Sequence, residues 1–594
     1  MKLSDYVMDF LAKKGVKTVF MLPGGGCMHL VDSLGRNKDL DYVACLHEQA
    51  AAIAAESYAQ HTNELGAVLV TTGPGGTNTI TGLTAAWIDS TPVLFISGQV
   101  KRSDRMGDSG VRQMGSQEVE IVPIVRSVTK YAETVMEPER IRYMMEKAYY
   151  LAMHGRKGPV WVDIPLDVQA AEIDVDALAG FAPEPVVQDI PTDKIEKIKS
   201  LLEQAKRPLI LAGNGIKLAG ATDEFEQLMQ KLQIPVLLTW KTIDMLDDED
   251  PLYFGCPGGM GHRYANFILQ NADCLLILGS RLDSSLTVFN HANFAPRAKK
   301  VMIDIDAAEI NKMQMDIEVK LQADLKPVLQ QLNQAEYILN QQVLADWLGY
   351  CQQMKAKYPV VTREMYAGTE YVNAHAFVDE LCKQLTAEDV LVPESSGGAG
   401  EITYQAMKVK KGQKIKNAAG LGSMGFGLPY ALGACIANGR KRTVLINGDG
   451  AFQLNIQELA TIAQHKLPIK IFIWCNGGYA SIMGTQDNYF DGNYVASNRE
   501  SKLCIPDIGR IAAAYGLKTF KLEHNAEMQG RIAEILEADG PVLCEVKVSP
   551  EEIALPRSKA MRLPNGSMVS KPLEDMWPYL SGDEIRDNMF GKLE

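Results

Sequence analysis

The stretch Val444-Leu445-Ile446-Asn447-Gly448-Asp449-Gly450-Ala451, with its continuation through Ile469–Trp474 to Cys475-Asn476-Gly477-Gly478-Tyr479, decides how this chain is read. Val444–Ile446 is a short aliphatic strand, and Gly448-Asp449-Gly450 turns sharply at its end. Apolar residues from Ile456 to Gln464 recur with helical spacing, and a second apolar strand, Ile469–Trp474, runs into Cys475-Asn476. Asp449 and Asn476 are thereby expected at the carboxyl ends of two strands, the edge at which open α/β sheets bind ligands.

The residue types point to a cation and a diphosphate. A small hard cation such as Mg²⁺ takes oxygen ligands in near-octahedral geometry and shares them with phosphates. Asp449 offers a carboxylate, Asn476 an amide oxygen and Gly478 a backbone carbonyl. Gly448 and Gly450 let the backbone approach a diphosphate, and the helix that follows favours its charge. A bare Gly-Asp-Gly also fits an ordinary tight turn. An asparagine 27 positions beyond Asp449, at a second strand end, is what makes the pattern specific.

Working outward, the whole chain alternates strands and helices. Residues 1–180 carry strands at Val16–Leu22, Tyr42–Leu46, Ala67–Thr72, Val93–Ser97 and Val160–Pro165, with glycine turns after several of them. Pro183–Thr192 is polar and proline-rich and reads as a linker. A unit over 190–345 has strands at Pro208–Ala212, Pro235–Trp240, Cys274–Gly279 and Lys300–Ile305. A helical connector over 346–370 leads to a third unit over 371–553, with strands near Val390, Val444, Ile469, Leu517 and Val542. The tail, 554–594, is expected to wrap along the surface and over an active-site mouth. The expected fold is α/β, with three doubly wound parallel-sheet domains.

Composition narrows the function. A chain of 594 residues with 46% hydrophobic and 22% charged residues is globular and multidomain. A net charge of −13 argues against nucleic acid or an anionic membrane as partner. Ten cysteines without metal-ligand spacing suit reduced thiols in a cytoplasmic protein. Met1–Lys14 reads as an amphipathic helix and not as a signal peptide, and no apolar run reaches membrane-spanning length.

Several ordered motifs carry a resemblance. They are Pro23-Gly24-Gly25, His47-Glu48-Gln49 before an alanine-rich helix, Gly73-Pro74-Gly75-Gly76-Thr77-Asn78, Asp89-Ser90-Thr91-Pro92, Gly98-Gln99-Val100, Gln117-Glu118-Val119 and Gly420–Pro429, followed by the opening stretch. Together they resemble the acetolactate synthase branch of the thiamine diphosphate enzymes over about residues 5–550. The resemblance implies a pyrimidine-binding domain, a middle domain and a diphosphate-binding domain. It also implies a homodimer or dimer of dimers with active sites between subunits, and thiamine diphosphate and Mg²⁺ as cofactors.

Residue by residue, the resemblance places Glu48 on the cofactor's pyrimidine nitrogen, where it promotes the imino tautomer by general acid–base catalysis. The alternative is a surface glutamate capping its helix. Gln117 matches an active-site glutamine, though Ser116 stands where the family has phenylalanine, which suggests a roomier or more polar acceptor pocket. Met424 matches the hydrophobe that bends the cofactor; the alternative is an ordinary core methionine. Pro23, Gly24, Pro74, Asn78, Gly397, Gly398, Gly422, Gly448, Asp449, Gly450, Ala451, Asn476, Gly478 and Tyr479 complete the cofactor-binding set, with Asp449, Asn476 and Gly478 as metal ligands. Gly397-Gly398-Ala399 departs from the family's Gly-Gln-His, leaving backbone amides to hold the phosphates. Lys130 lies where the family has a pocket lysine, and equally fits a solvated surface residue. FAD stays open, because Gly279-Ser280-Arg281-Leu282-Asp283 keeps half of the flavin signature of these enzymes.

The leading expectation is a carboligase that decarboxylates a 2-oxo acid and transfers the product to a second carbonyl. Retained Gln117 and the lack of a His-His pair favour it over a simple 2-oxo acid decarboxylase or a C–C lyase or hydrolase. A non-catalytic subunit of the same fold sits badly with intact Glu48, Asp449 and Asn476. Gly420–Gly425 also matches a dinucleotide fingerprint, but it lacks a clear preceding strand and a later acidic residue.

Overall fold

A computed structural model describes residues 1–184, 190–562, 565–566 and 568–591. The expected linker falls in part on 185–189, outside the described residues; its last residue, Thr192, already begins the helix Thr192–Gln204.

Three parallel sheets form the body. The first holds β1 (Thr18–Met21), β2 (Asp41–Ala44), β3 (Gly66–Val70), β4 (Val93–Gln99), β5 (Tyr131–Thr134) and β6 (Val160–Pro165) in the order β2-β1-β3-β4-β6-β5. The second holds β7 (Pro208–Ala212), β8 (Val236–Leu238), β9 (Cys274–Leu278), β10 (Lys299–Asp304) and β11 (Val319–Gln322) in the order β11-β10-β9-β7-β8. The third holds β12 (Val390–Pro393), β13 (Lys414–Ile415), β14 (Thr443–Gly448), β15 (Ile469–Cys475), β16 (Lys518–Leu522) and β17 (Val542–Lys547) in the order β13-β12-β14-β15-β17-β16. First and third sheets thus have the same order counted from their own first strands. Each reverses direction between its first and third strand, and that reversal is the crevice where open α/β sheets bind ligands.

Central strands such as β3, β4, β9 and β15 are buried along their length and read as largely apolar runs, because helices cover both faces. The strands that patterning misses, β5, β11 and β13, are at or beside sheet edges. There one face meets water, and residues such as Glu133, Lys320 and Lys414 interrupt the apolar run.

First and third domains meet through two helices, Glu48–Thr62 and Gly427–Ala437. Ala50 to Ala55 are wholly buried, and Ser57 Oγ donates to the Tyr430 carbonyl at 2.7 Å. A Cβ on Gly433 would stand 2.1 Å from the Ala54 carbonyl oxygen, so small residues on both helices permit the close approach. The tail does more than wrap. It forms a hairpin, β18 (Ala560–Arg562) with β19 (Met568–Ser570), and then docks on the middle domain. Leu573 and Met576 are buried there, and the Asn266 amide donates to the Leu573 carbonyl at 3.0 Å.

Candidate active site

One set of candidate residues gathers at the carboxyl ends of β1 and β3. Pro23 and Gly24 follow β1, and a Cβ on Gly24 would lie 2.6 Å from the Thr71 side chain, so the two loops touch. Pro74 opens the short helix Pro74–Thr77, where a missing N–H costs nothing. Gly73, at φ +61°, leaves room for the Gln117 carbonyl, which a Cβ would meet at 2.0 Å; Gln117 is itself left-handed at φ +60°. Thr72 Oγ1 donates to Gln99 Oε1 at 2.7 Å and Gln99 Nε2 donates to the Val119 carbonyl at 2.9 Å. Gln99 therefore ties the loop after β3 to the loop bearing Gln117.

Glu48 begins the alanine-rich helix, but the residue capping it is His47, whose Nδ1 accepts from Gln49 N at 3.1 Å. Glu48 is 7% exposed, and its Oε2 accepts from Asn78 Nδ2 at 3.0 Å. The surface-cap alternative is thus excluded. Among the described residues its Oε1 has no recorded hydrogen bond.

The second set gathers on the third sheet. Gly397, at φ +76°, caps the helix Gly398–Ala406, whose first turn presents free backbone N–H groups. Its Cβ position lies 3.3 Å from Ser481 Oγ, and that of Gly422 lies 3.7 Å from the Ser395 carbonyl. The loops after β12, β13 and β15 therefore border one cleft. Met424, half-buried, follows on the loop that begins at Gly420. A short helix, Asp449 to Phe452, contains Gly450 and Ala451, and the helix expected over 456–464 follows as Glu458–Gln464. Gly450 makes room for a ring, since a Cβ would stand 2.5 Å from Tyr479.

Asp449 is 2% exposed and accepts from Gly477 N at 2.8 Å. Burial pushes its carboxyl up to about 6, against the pull of the surrounding backbone N–H groups. One terminus of the Asn476 amide lies 3.0 Å from the Gly478 carbonyl oxygen and 3.2 Å from Asp449 Oδ1. With nitrogen at that corner the amide donates to both; with oxygen there, three oxygens converge.

Two buried residues beneath these loops escaped the sequence reading. Glu394 is wholly buried; its Oε2 accepts from Gly427 N at 2.9 Å and its Oε1 from Ser395 N at 3.0 Å. Asn447, also wholly buried, adjoins it beside Gly427, and its side chain is among the groups that favour the ionised Glu394 carboxyl. A polar residue at the end of an apolar strand was the available signal. Glu118 is a third: it accepts from Met114 N at 2.8 Å and Gly115 N at 3.0 Å, folding back the loop before Gln117.

Three family models match the chain in order: thiamine pyrophosphate enzyme, N-terminal TPP binding domain, over 1–123; central domain, over 195–332; and C-terminal TPP binding domain, over 396–546. The chain belongs to the thiamine pyrophosphate enzymes. An acetolactate synthase large subunit of Cyanidium caldarium is 32% identical over 562 residues, spanning 93% of this chain and 94% of the relative. The acetolactate synthase isozyme 2 large subunit of Escherichia coli (strain K12) is 32% identical over 573 residues, spanning 96% and 99%. A probable acetolactate synthase large subunit of Methanocaldococcus jannaschii is 31% identical over 573 residues, spanning 94% and 93%. The chain is therefore an acetolactate synthase-like, thiamine diphosphate-dependent enzyme acting on C–C bonds.

With the amide oxygen at that corner, metal–oxygen bonds of ~2.05 Å at right angles would put neighbouring oxygens ~2.9 Å apart along an octahedral edge, close to the 3.0 and 3.2 Å found. Among the described residues, no group of three or more His, Cys, Asp or Glu could hold a metal.

Among the described residues no recorded hydrogen bond joins a candidate residue of the first set to one of the second. The chain's own domains touch beside them instead, where Leu46 N donates to Glu458 Oε1 at 3.0 Å and Asn455 Nδ2 to Gln49 Oε1 at 2.9 Å. Lys130 lies elsewhere. It precedes β5 at the amino edge of the first sheet, where its Nζ donates to the His154 carbonyl at 2.7 Å. Of the flavin half-signature, Arg281 Nη1 donates to the Ile88 carbonyl at 3.1 Å and Asp283 caps the helix Ser284–Thr287. Both are engaged in protein contacts beside a cleft of about 420 Å³ at the ends of β7, β9 and β10.

Proposed function

We propose that this enzyme is a Mg²⁺-dependent carboligase that decarboxylates a 2-oxo acid and joins the remaining fragment to a second carbonyl compound. The observation that carries it is the pairing of a buried, oriented Glu48 with the Asp449–Asn476–Gly478 oxygen edge. When bound, thiamine diphosphate supplies a nucleophilic carbon that breaks and makes bonds next to carbonyl groups.

The chain's residues divide the remaining work. Asp449, Asn476 and the Gly478 carbonyl would hold the cation, and the first-turn N–H groups of the helix at Gly398 would serve the diphosphate. Asn78 fixes Glu48 Oε2, which leaves Oε1 as the atom through which the carboxyl would give or take a proton. Gly422 and Met424 shape the floor under the cofactor. Gln117, exposed within one chain, faces the acceptor, and the small Ser116 beside it widens the entrance. Thr72, Gln99 and Val119 position Gln117 from behind.

The separation of the two sets supports a site completed by a second copy of the chain, in a homodimer or dimer of dimers. Membrane attachment is not part of the proposal, and no helix among the described residues is long and apolar enough to cross one. A flavin-free enzyme is the simplest form, since Arg281 and Asp283 are already engaged, and the cysteine pattern is the ground for placing it in the cytoplasm. A flavin spectrum from the purified protein would overturn that part.

Product analysis tests the reaction. With pyruvate, thiamine diphosphate, Mg²⁺ and a panel of aldehyde and 2-oxo acid acceptors, a C–C coupled product is expected. Acetaldehyde as the sole product would overturn carboligation in favour of simple decarboxylation. Activity that survives dilution to a proven monomer would overturn the shared site.

A further inference from the structure

A cavity of about 630 Å³ opens where the three domains meet, a size typical of small-molecule sites. The carboxyl end of the helix Glu48–Thr62 contributes His61, the middle domain contributes Lys217 and Asp244, and β13 with its continuation contributes Lys414, Lys416 and Asn417. None of these belongs to the candidate active site.

Its deep end holds more positive charge than it neutralises. Asp244, buried, accepts from Lys217 Nζ and lies 3.5 Å from Lys416 Nζ, so two ammonium groups share one carboxylate. Lys241, next to them, is satisfied by Gln60 Oε1 at 2.7 Å, Asp89 Oδ2 at 3.0 Å and the Asn417 carbonyl at 2.6 Å. Lys416 spends one long contact of its three donors, and exposed Lys414 has no recorded partner among the described residues.

Two polar atoms of the lining are also buried and unpaired, His61 Nδ1 and Asn417 Oδ1; Asn417 as a whole is 3% exposed. A buried acceptor without a donor costs about 1–3 kcal/mol, so an occupant that supplies one is favoured. Burial and the neighbouring Lys217, Lys414 and Lys241 draw Lys416 down to about 7 despite Asp244. Burial with Lys416 and Lys414 draws His61 down to about 4.

We propose that this cavity is an effector site for a small molecule with one anionic head, phosphate or carboxylate, and a hydroxylated tail. The head's oxygens take the free donors of Lys416, Lys414 and Lys217, and a hydroxyl donates to Asn417 Oδ1. The mouth sets the tail's charge. Asp223, Glu226, Asp247 and Asp250 line it, so a second anionic group there meets like charge.

Position gives the site leverage. His61 lies in the last turn of the helix that Glu48 begins, and Asn417 lies three residues before the loop carrying Gly422 and Met424. An occupant therefore touches two elements that reach the catalytic residues. This regulatory role rests on the proposed function; the binding does not.

Titration calorimetry tests it on enzyme loaded with thiamine diphosphate and Mg²⁺, so that the diphosphate site is filled. Glycerol 3-phosphate and glycerate are the probes, distinguishing a phosphate from a carboxylate head. Saturable binding of one probe per chain is expected, weakened about tenfold by Lys416→Met and several-fold by Lys414→Gln, an exposed position that leaves folding intact. Arg281→Gln, in the neighbouring cleft and not among the residues lining this cavity, is expected to leave affinity unchanged. Absence of binding by both probes, equal affinity in Lys414→Gln, or loss of binding in Arg281→Gln overturns the site. Binding with that pattern in a protein that forms no coupled product would sustain the site while overturning the proposed reaction.

Discussion

Glu48 and Asn78 form a hydrogen-bonded pair in the first domain, with Asn78 Nδ2 donating to Glu48 Oε2 at 3.0 Å in a buried setting. The pair joins the start of one helix to the end of the turn after β3, so the carboxyl has its direction set before any ligand arrives. Glu48→Gln keeps the shape and loses proton transfer. Turnover is expected to fall roughly 10²- to 10⁴-fold, with the melting temperature nearly unchanged. Asn78→Ala leaves the acid in place but unfixed, and a smaller loss is expected. Steady-state kinetics with circular dichroism as a folding control checks both, and normal turnover in Glu48→Gln would remove Glu48 from the mechanism.

The oxygen edge at Asp449, Asn476 and Gly478 predicts mutual dependence of metal and cofactor. Each ligand binds the native state and not the unfolded chain, so together they raise stability by about 2.7 kcal/mol at a hundredfold excess over Kd. Thermal melts with Mg²⁺ alone, thiamine diphosphate alone and both are expected to show the large shift only with both. Asp449→Ala is expected to abolish the joint shift, and chelation to reverse it in the native enzyme. A full shift with the cofactor in excess chelator would argue against this set of ligands.

The crossing of Gly433 over Ala54 predicts a stability defect remote from chemistry. A methyl group at 433 would stand 2.1 Å from the Ala54 carbonyl, which is backbone and cannot rotate away. Gly433→Ala therefore forces two packed helices apart, at about 1–3 kcal/mol for overpacking. The expected readout is a lowered melting temperature and earlier loss of first-domain structure in limited proteolysis. A melting temperature equal to that of the unmodified protein would show that the helices relax freely.

Much of this was legible in the sequence, for identifiable reasons. Central strands of parallel sheets are buried on both faces, so runs such as Ile469–Trp474 announce themselves. Asp449 and Asn476 stand directly at their ends. The alanines after Glu48 forecast a buried helix, and the crossing with Gly427–Ala437 explains them. Edge strands β5, β11 and β13 were hidden by their exposed polar residues. Glu394 and Asn447 were hidden because a polar residue beside a glycine turn looks like loop chemistry until burial is known. The lysine cavity was hidden more deeply: Lys217 and Asp244 belong to the middle domain and Lys416 to the third, and only the docking of those domains brings them together.

Glu394 carries the pH prediction. Burial pushes its carboxyl up to about 7, against hydrogen bonds from Gly427 N and Ser395 N that pull it down. An unfolded chain releases this proton near 4.5, whereas the native chain holds it until about 7. Between those values the native state binds more protons, so this group's contribution to stability falls as pH rises through the window. The penalty is then constant above about 7, at no more than about 3 kcal/mol. Glu394→Gln keeps the shape without the charge. It is expected to match the unmodified protein near pH 4.5 and to gain on it progressively up to about pH 7. Paired melts of the two proteins at closely spaced pH values isolate this one group from the other carboxyls. A difference that does not change between pH 4.5 and 7 would mean that Glu394 is ionised throughout, held by the N–H groups of the loops on either side of it.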